Sequence, residues 1–159
     1  MLEMFNQSHL PITERSYPHI EGTVLAFDFG EKRIGVAVGE TAIKSAHAHC
    51  TIDSEVNDIR FKEISRLVTD WQPNLLIVGL PKHLDGKAHQ LTALAKKFAQ
   101  RLEGRFNLPV ILVDERLSSA EASKHLTDAG IKGRAQKAMI DAVAAQVILQ
   151  SYFDKSQTT

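Results

Sequence analysis

The 159-residue sequence has a single cysteine, no apolar run near the length of a membrane span, no net charge and no phosphate-loop motif. Cys50 alone cannot close an internal disulfide and offers no CxxC metal spacing, which excludes a disulfide scaffold and agrees with a reducing compartment. It reads as a small buried apolar side chain. The longest apolar runs, such as LLIVGL at 75–80, fall far short of the roughly 20 residues a bilayer requires. The opening MLEMFNQSHLPITER carries acids and no continuous apolar stretch, so it does not read as a secretory signal. A cytoplasmic protein with no membrane partner is expected. Neither GxGxxG nor GxxxxGK[ST] occurs, leaving dinucleotide and P-loop sites unsupported. With 19 basic and 19 acidic side chains, no global field draws in nucleic acid, so any such affinity must come from local clusters. The seven histidines form no metal spacing. His47 and His49 share a strand face without a carboxylate or Cys beside them, and His83 and His89 read as surface residues.

What is present is ordinary for one folded domain: 43% hydrophobic and 24% charged residues at a common single-domain length. Residues 1–22 mix Pro11, Pro18 and polar residues without a period and read as an N-terminal extension. The domain is expected over 23–153, with a tail at 154–159. TVLAFDF and IGVAVGE, joined by GEKR, form a hairpin signature. In the second run Gly35, Ala37 and Gly39 alternate with Ile34, Val36 and Val38. One face therefore carries only small side chains, and a helix or a substrate backbone must approach it closely. A third strand is expected within 44–52. Val56, Ile59, Ile64, Leu67, Val68 and Trp71 recur at helical spacing up to Pro73. NLLIVGL is a buried strand, and Leu91, Leu94, Ala95, Phe98 and Leu102 mark an amphipathic helix ending near Gly104. PVILVDE is another buried strand. Ser118 to Glu121 form a capping box that opens a helix, and a last helix runs from about Arg134 to Phe153. The fold class is α/β: a mixed sheet of three antiparallel strands followed by alternating helices and strands, with helices on its faces.

Three acids stand where acids are costly. Asp28 lies inside the apolar run VLAFDF, where an uncompensated carboxylate would cost several kcal/mol or be driven neutral. It needs a cation, either a metal or a partner such as Lys32 or Arg33. Asp141 lies on an apolar helical stripe with Ala144, Ala145, Ile148 and Tyr152. Asp114 and Glu115 end the strand PVILVD, at the sheet edge where ligands collect. Alternation lets only one of the two face a given site, and a strand apolar on both faces does not say which. Convergent carboxylates of this kind suit Mg²⁺ or Mn²⁺ and not Zn²⁺. Two such ions about 4 Å apart would serve phosphodiester hydrolysis by water.

At these residues the chain resembles the YqgF family of RNase H-like proteins, described as Holliday-junction-resolvase-like and as pre-16S rRNA nucleases. LAFDFGEKRIGVAVG, VGLPKHLDG, VDERLSS and IDAVAAQVILQSYF carry the resemblance, in that order, over about residues 23–153. Lys82, His83 and Leu84 stand where the family commonly has Leu, Asn and Met. The resemblance implies an RNase H-like fold and metal-binding, catalytic carboxylates at Asp28, Glu115 and Asp141. It also implies a divalent-metal-dependent endonuclease acting on the 5′ end of pre-16S rRNA or, alternatively, on branched DNA.

Each acid has cationic neighbours in sequence. Lys32 and Arg33 follow Asp28, Arg116 follows Glu115, and Arg134 and Lys137 precede Asp141. These five are expected to bind substrate by positioning phosphates of a nucleic acid. A homodimer would suit a two-fold symmetric junction, although no segment announces an interface. Two other classes compete. A sugar-kinase-like or Hsp70-like phosphotransfer protein would need a second phosphate loop and a duplicated domain, for which the chain is too short. A non-catalytic binding module would have no use for three intact acids.

Overall fold

The computed structural model describes residues 20–81, 86–115, 124, 126–131 and 133–156, with the side chains of 81, 86–89, 114–115, 134–138 and 156 outside that set. The expected N-terminal extension up to residue 19, the loop at 82–85 with His83, Arg116, the capping box at 118–121 and residues 157–159 of the tail lie outside the described residues.

The alternation in the first two apolar runs becomes β1 (Thr23–Phe29) and β2 (Ile34–Glu40), and β3 (Ser45–Ile52) completes the meander. Helix α1 (Asn57–Trp71), β4 (Leu75–Pro81), α2 (Gly86–Phe106), β5 (Val110–Glu115) and α3 (Arg134–Ser156) come after it. The five strands form one sheet in the order β3-β2-β1-β4-β5. β1 pairs antiparallel with β2 and β2 with β3, whereas β4 lies parallel to both β1 and β5. The C-terminal ends of β1, β4 and β5 thus share one edge of the sheet. Among the described residues, no helix is long and apolar enough to cross a membrane.

The two faces are packed differently. On one, Leu25, Phe27, Ile34, Val36, Leu76 and Val78 meet Phe61, Ile64 and Leu67 of α1 and Ala95, Phe98 and Leu102 of α2. On the other, Val24, Ala26, Ala37, Ala46, Leu75, Ile77 and Val113 meet Ala145, Ile148, Leu149 and Phe153 of α3. The small-residue face of β2 is therefore filled by a helix.

The buried stripe of α1 is rotated from the one expected. Arg60, Phe61, Ile64 and Leu67 are buried, while Val56 and Ile59 are exposed. Val56 is the N-cap and not a helical residue, so the apolar period starts one turn later than its first apolar residue suggests. At the other end Gln72 takes the left-handed conformation and its N–H returns to Val68 O, closing the helix immediately before Pro73.

β3 departs from simple alternation. The register shifts opposite Val36 and Ala37, so Ala46 and Ala48 pack towards α3 while Cys50 and Ile52 pack towards α1 and α2. Such a bulge adds one residue to one strand and re-aims the side chains beyond it. His49 sits at this irregularity, its ring edge-on to Trp71 at 5.3 Å between centroids. Cys50 is half-buried, and burial, then the nearby Glu63, pushes its thiol pKa up.

Candidate metal-binding active site

The site begins with one register pair. Asp28 of β1 stands opposite Gly35 of β2, and cross-strand partners share a face. Val24 and Ala26 pack towards α3, so alternation puts position 28 on that side as well. β1 is buried from Val24 to Phe27 and half-buried from Asp28 onward. The carboxylate therefore sits at the edge of the core and not inside it, as the apolar run alone had suggested.

Gly35 fixes what lies above. A Cβ built on it would stand 1.8 Å from Asp141 O, 2.2 Å from Asp141 C and 2.9 Å from Ala142 N. The α3 backbone thus rests directly on the β2 backbone at the residue paired with Asp28. No residue but glycine permits this approach. Helix and sheet share this contact, so Asp28 and Asp141 occupy neighbouring positions although they stand 113 positions apart in the sequence. The length-wise position of α3 is held by two glutamines a turn apart. Gln146 Nε2 donates to Ala46 O at 3.0 Å. Gln150 accepts from Ala46 N at 3.2 Å and donates to Lys44 O at 3.1 Å. These bonds also occupy backbone groups of the edge strand that would otherwise be open to pairing.

Arg33, at the end of the β1–β2 turn, donates from Nε to Asp141 Oδ2 at 2.9 Å. The hydrogen bond and the charge of Asp141 raise the pKa of the guanidinium. The side chains are 40% and 23% exposed, so the pair lies at the rim. Lys32 beside it is exposed. Of the two expected cations whose side chains are described, Arg33 is bonded to one of the acids. Arg134 and Lys137 lie on the first turns of α3, ahead of Asp141, with side chains outside the described residues, as is the whole of Arg116.

Glu115 is the last residue of β5, paired in register with Pro81. Val110 and Leu112 pack on the α1 and α2 side, and Ile111 and Val113 on the α3 side. Position 115 has the parity of Ile111 and Val113, and position 114 that of Val110 and Leu112. The side chains of both acids lie outside the described residues. Among the described residues no group of three His, Cys, Asp or Glu side chains gathers as a metal site. The backbone positions that come together are those of Asp28 and Asp141; carboxylates are hard oxygen ligands that suit Mg²⁺ or Mn²⁺, and the Arg33 guanidinium is bonded to Asp141.

One residue of this region was not singled out in the sequence. Arg60 of α1 is 3% exposed. Its Nη2 donates to Gly30 O at 2.8 Å and to Glu31 O at 2.6 Å, its Nε donates to Ser54 O, and its guanidinium carbon lies 5.5 Å from the centre of the Phe29 ring. The signal was available: Arg60 shares a helical stripe with Ile64 and Leu67, the same misplacement that marks Asp141.

The RuvX family, described as a Holliday junction resolvase family, matches residues 22–155. The chain belongs to the RuvX family. Among its relatives, a Methylobacillus flagellatus protein named "Putative pre-16S rRNA nuclease" is 65% identical over 133 residues, covering 84% of this chain and 91% of that protein. A Dechloromonas aromatica protein of the same name is 56% identical over the same shares. In fold, this RuvX member is similar to RuvC of T. thermophilus, solved with a Holliday junction substrate, at a TM-score of 0.54 and 14% identity, over 87% of this chain and 97% of that one. It is also similar to the Fowlpox virus resolvase, solved with Holliday junction DNA, at a TM-score of 0.51 and 12% identity, over 86% and 99%. The RNase H-like fold expected from the four motifs is the fold observed. Membership of this nuclease family bears out the expectation of a hydrolase acting on phosphodiester bonds.

Proposed function

We propose that this RuvX member is a divalent-metal-dependent endonuclease whose metal ligands are Asp28, Glu115 and Asp141, and that it processes the 5′ end of pre-16S rRNA. The observation that carries the reading is the backbone contact at Gly35, which sets Asp141 of α3 over the strand pair that bears Asp28. Position 115 of the β5 backbone is in step with Ile111 and Val113, which supports Glu115 over Asp114 as the third ligand. The names of the relatives support the substrate.

Mg²⁺ or Mn²⁺ would be held by these three carboxylates and would supply Lewis-acid stabilisation of the charge that builds on the scissile phosphate. The protein's own part is placement. Asp28 is fixed by its strand register and Asp141 by the helix contact, so little reorganisation is needed when an ion arrives. Arg33 restrains the Asp141 carboxylate through Oδ2. In this reading Lys32, Arg33, Arg116, Arg134 and Lys137 position the phosphates of the substrate, local charge that the neutral total lacks. A second reading, cleavage of a four-way DNA junction, is favoured by the family's description and by the two solved resolvases bound to such junctions.

The test offers a pre-16S rRNA 5′ fragment and a four-way DNA junction to the wild type, Asp28→Asn and Asp141→Asn, with Mg²⁺, with Mn²⁺ and with chelator. Expected is metal-dependent cleavage of the RNA that falls at least about 100-fold in both variants at unchanged melting temperature. Preferential cleavage of the junction would transfer the activity to DNA. Cleavage that survives either substitution would refute the site.

A further inference from the structure

Among the residues with described side chains, Arg60 is the only charged one that is buried. Burying a guanidinium is costly unless its N–H groups are taken up, and here two of its three nitrogens donate to carbonyls: Nη2 to Gly30 O and Glu31 O, and Nε to Ser54 O. Gly30 and Glu31 open the turn that joins β1 to β2, and Ser54 belongs to the segment between β3 and α1. The Phe29 ring under the guanidinium is the residue after Asp28.

The turn is closed on itself. A Cβ on Gly30 would stand 2.6 Å from Arg33 O, which leaves the backbone between them little room. One end of this short unit is attached to Asp28, two residues before Gly30. The other end carries Arg33, whose Nε is bonded to Asp141 Oδ2. A planar fork of fixed N–H directions holds such a unit in a way that the compact ammonium of a lysine does not.

We propose that Arg60 is a positioning residue of the metal site: by clamping the carbonyls of Gly30 and Glu31 it fixes the β1–β2 turn, and through the turn it sets Arg33 and with it the Arg33–Asp141 pair. The proposal rests on the metal-site reading above. A purely structural Arg60 would tie α1 to the sheet and nothing more, so loss of its fork would lower the melting temperature and leave the folded site's metal affinity alone. A positioning Arg60 acts on metal affinity and does so through Arg33.

The test titrates Mn²⁺ by calorimetry into the full chain as wild type, Arg60→Lys, Arg60→Gln, Arg33→Gln and Arg60→Lys/Arg33→Gln, at a temperature where circular dichroism shows each variant folded. Arg60→Lys is expected to weaken Mn²⁺ binding about tenfold, the scale seen when partners that orient metal ligands are changed, and to weaken it much less when Arg33 is already Gln. Unchanged affinity in Arg60→Lys, or an equal effect in both backgrounds, overturns the proposal. A wild type that takes up no Mn²⁺ overturns the metal reading itself, which separates the two failures. Should the Arg60 variants not fold, the wild type decides by nuclear magnetic resonance. Saturating Mg²⁺ is expected to slow hydrogen exchange of the Arg33 and Arg60 Nε–H groups together, and slowing confined to Arg33 would overturn the proposal.

Discussion

The two faces of the sheet differ in what fills the space between helix and strand. On the α1 and α2 side the filling is side chain: the Phe98 ring lies 5.9 Å from that of Phe27 and 5.8 Å from that of Phe61, with branched residues around them. On the α3 side at Gly35 there is no filling, and two backbones touch. A side-chain core can lose a group and partly relax around the loss. A backbone contact cannot, because any added atom moves the helix as a body. The face that carries the acids is thus the less tolerant one, and it fixes Asp28 and Asp141 with few adjustable atoms between them.

Breaking the tighter face should have the largest effect on cleavage. Gly35→Ala puts a methyl 1.8 Å from Asp141 O, so α3 must retreat by more than an ångström before ordinary contact is restored. A stability loss of about 3 kcal/mol, at the upper end for overpacking, is expected in urea unfolding. Cleavage by the folded protein should also fall about 100-fold, the scale set by misplacing reacting groups by about 1 Å. Leu102→Ala, on the opposite face, removes a fully buried side chain of α2. It should cost about 2–5 kcal/mol while metal-dependent cleavage per folded molecule stays within about threefold of wild type, since the site is remote from it. If Leu102→Ala removed activity as Gly35→Ala does, the division between the faces would be wrong. The smallest effect belongs to Ile59→Ala, on the exposed side of α1, where urea unfolding should show a change within about 0.5 kcal/mol.

The difference between the faces also explains what could be read from sequence. The run Gly35, Ala37, Gly39 announced a close approach before the approaching element was known, because small residues in strand alternation have few other uses. Asp141 was legible for the converse reason, a charge on a stripe of Ala144, Ala145 and Ile148. Arg60 has the same signature, but Val56 and Ile59 drew the expected stripe of α1 to the wrong side, and a buried arginine satisfied by carbonyls leaves no partner acid to find. Glu115 could not be separated from Asp114 by pattern, because β5 is packed on both faces and apolar residues alternate with apolar residues. The parity emerges only when Val113 is seen against α3 and Leu112 against the other core. The β3 bulge was equally silent, since a register shift depends on the partner strand and not on the strand's own composition.

Calorimetric titration of Mn²⁺ into the wild type, Asp28→Asn and Asp141→Asn tests the central claim most directly. The account predicts saturable binding by the wild type and its loss in both variants, each still folded by circular dichroism. Equal binding by all three proteins would contradict it.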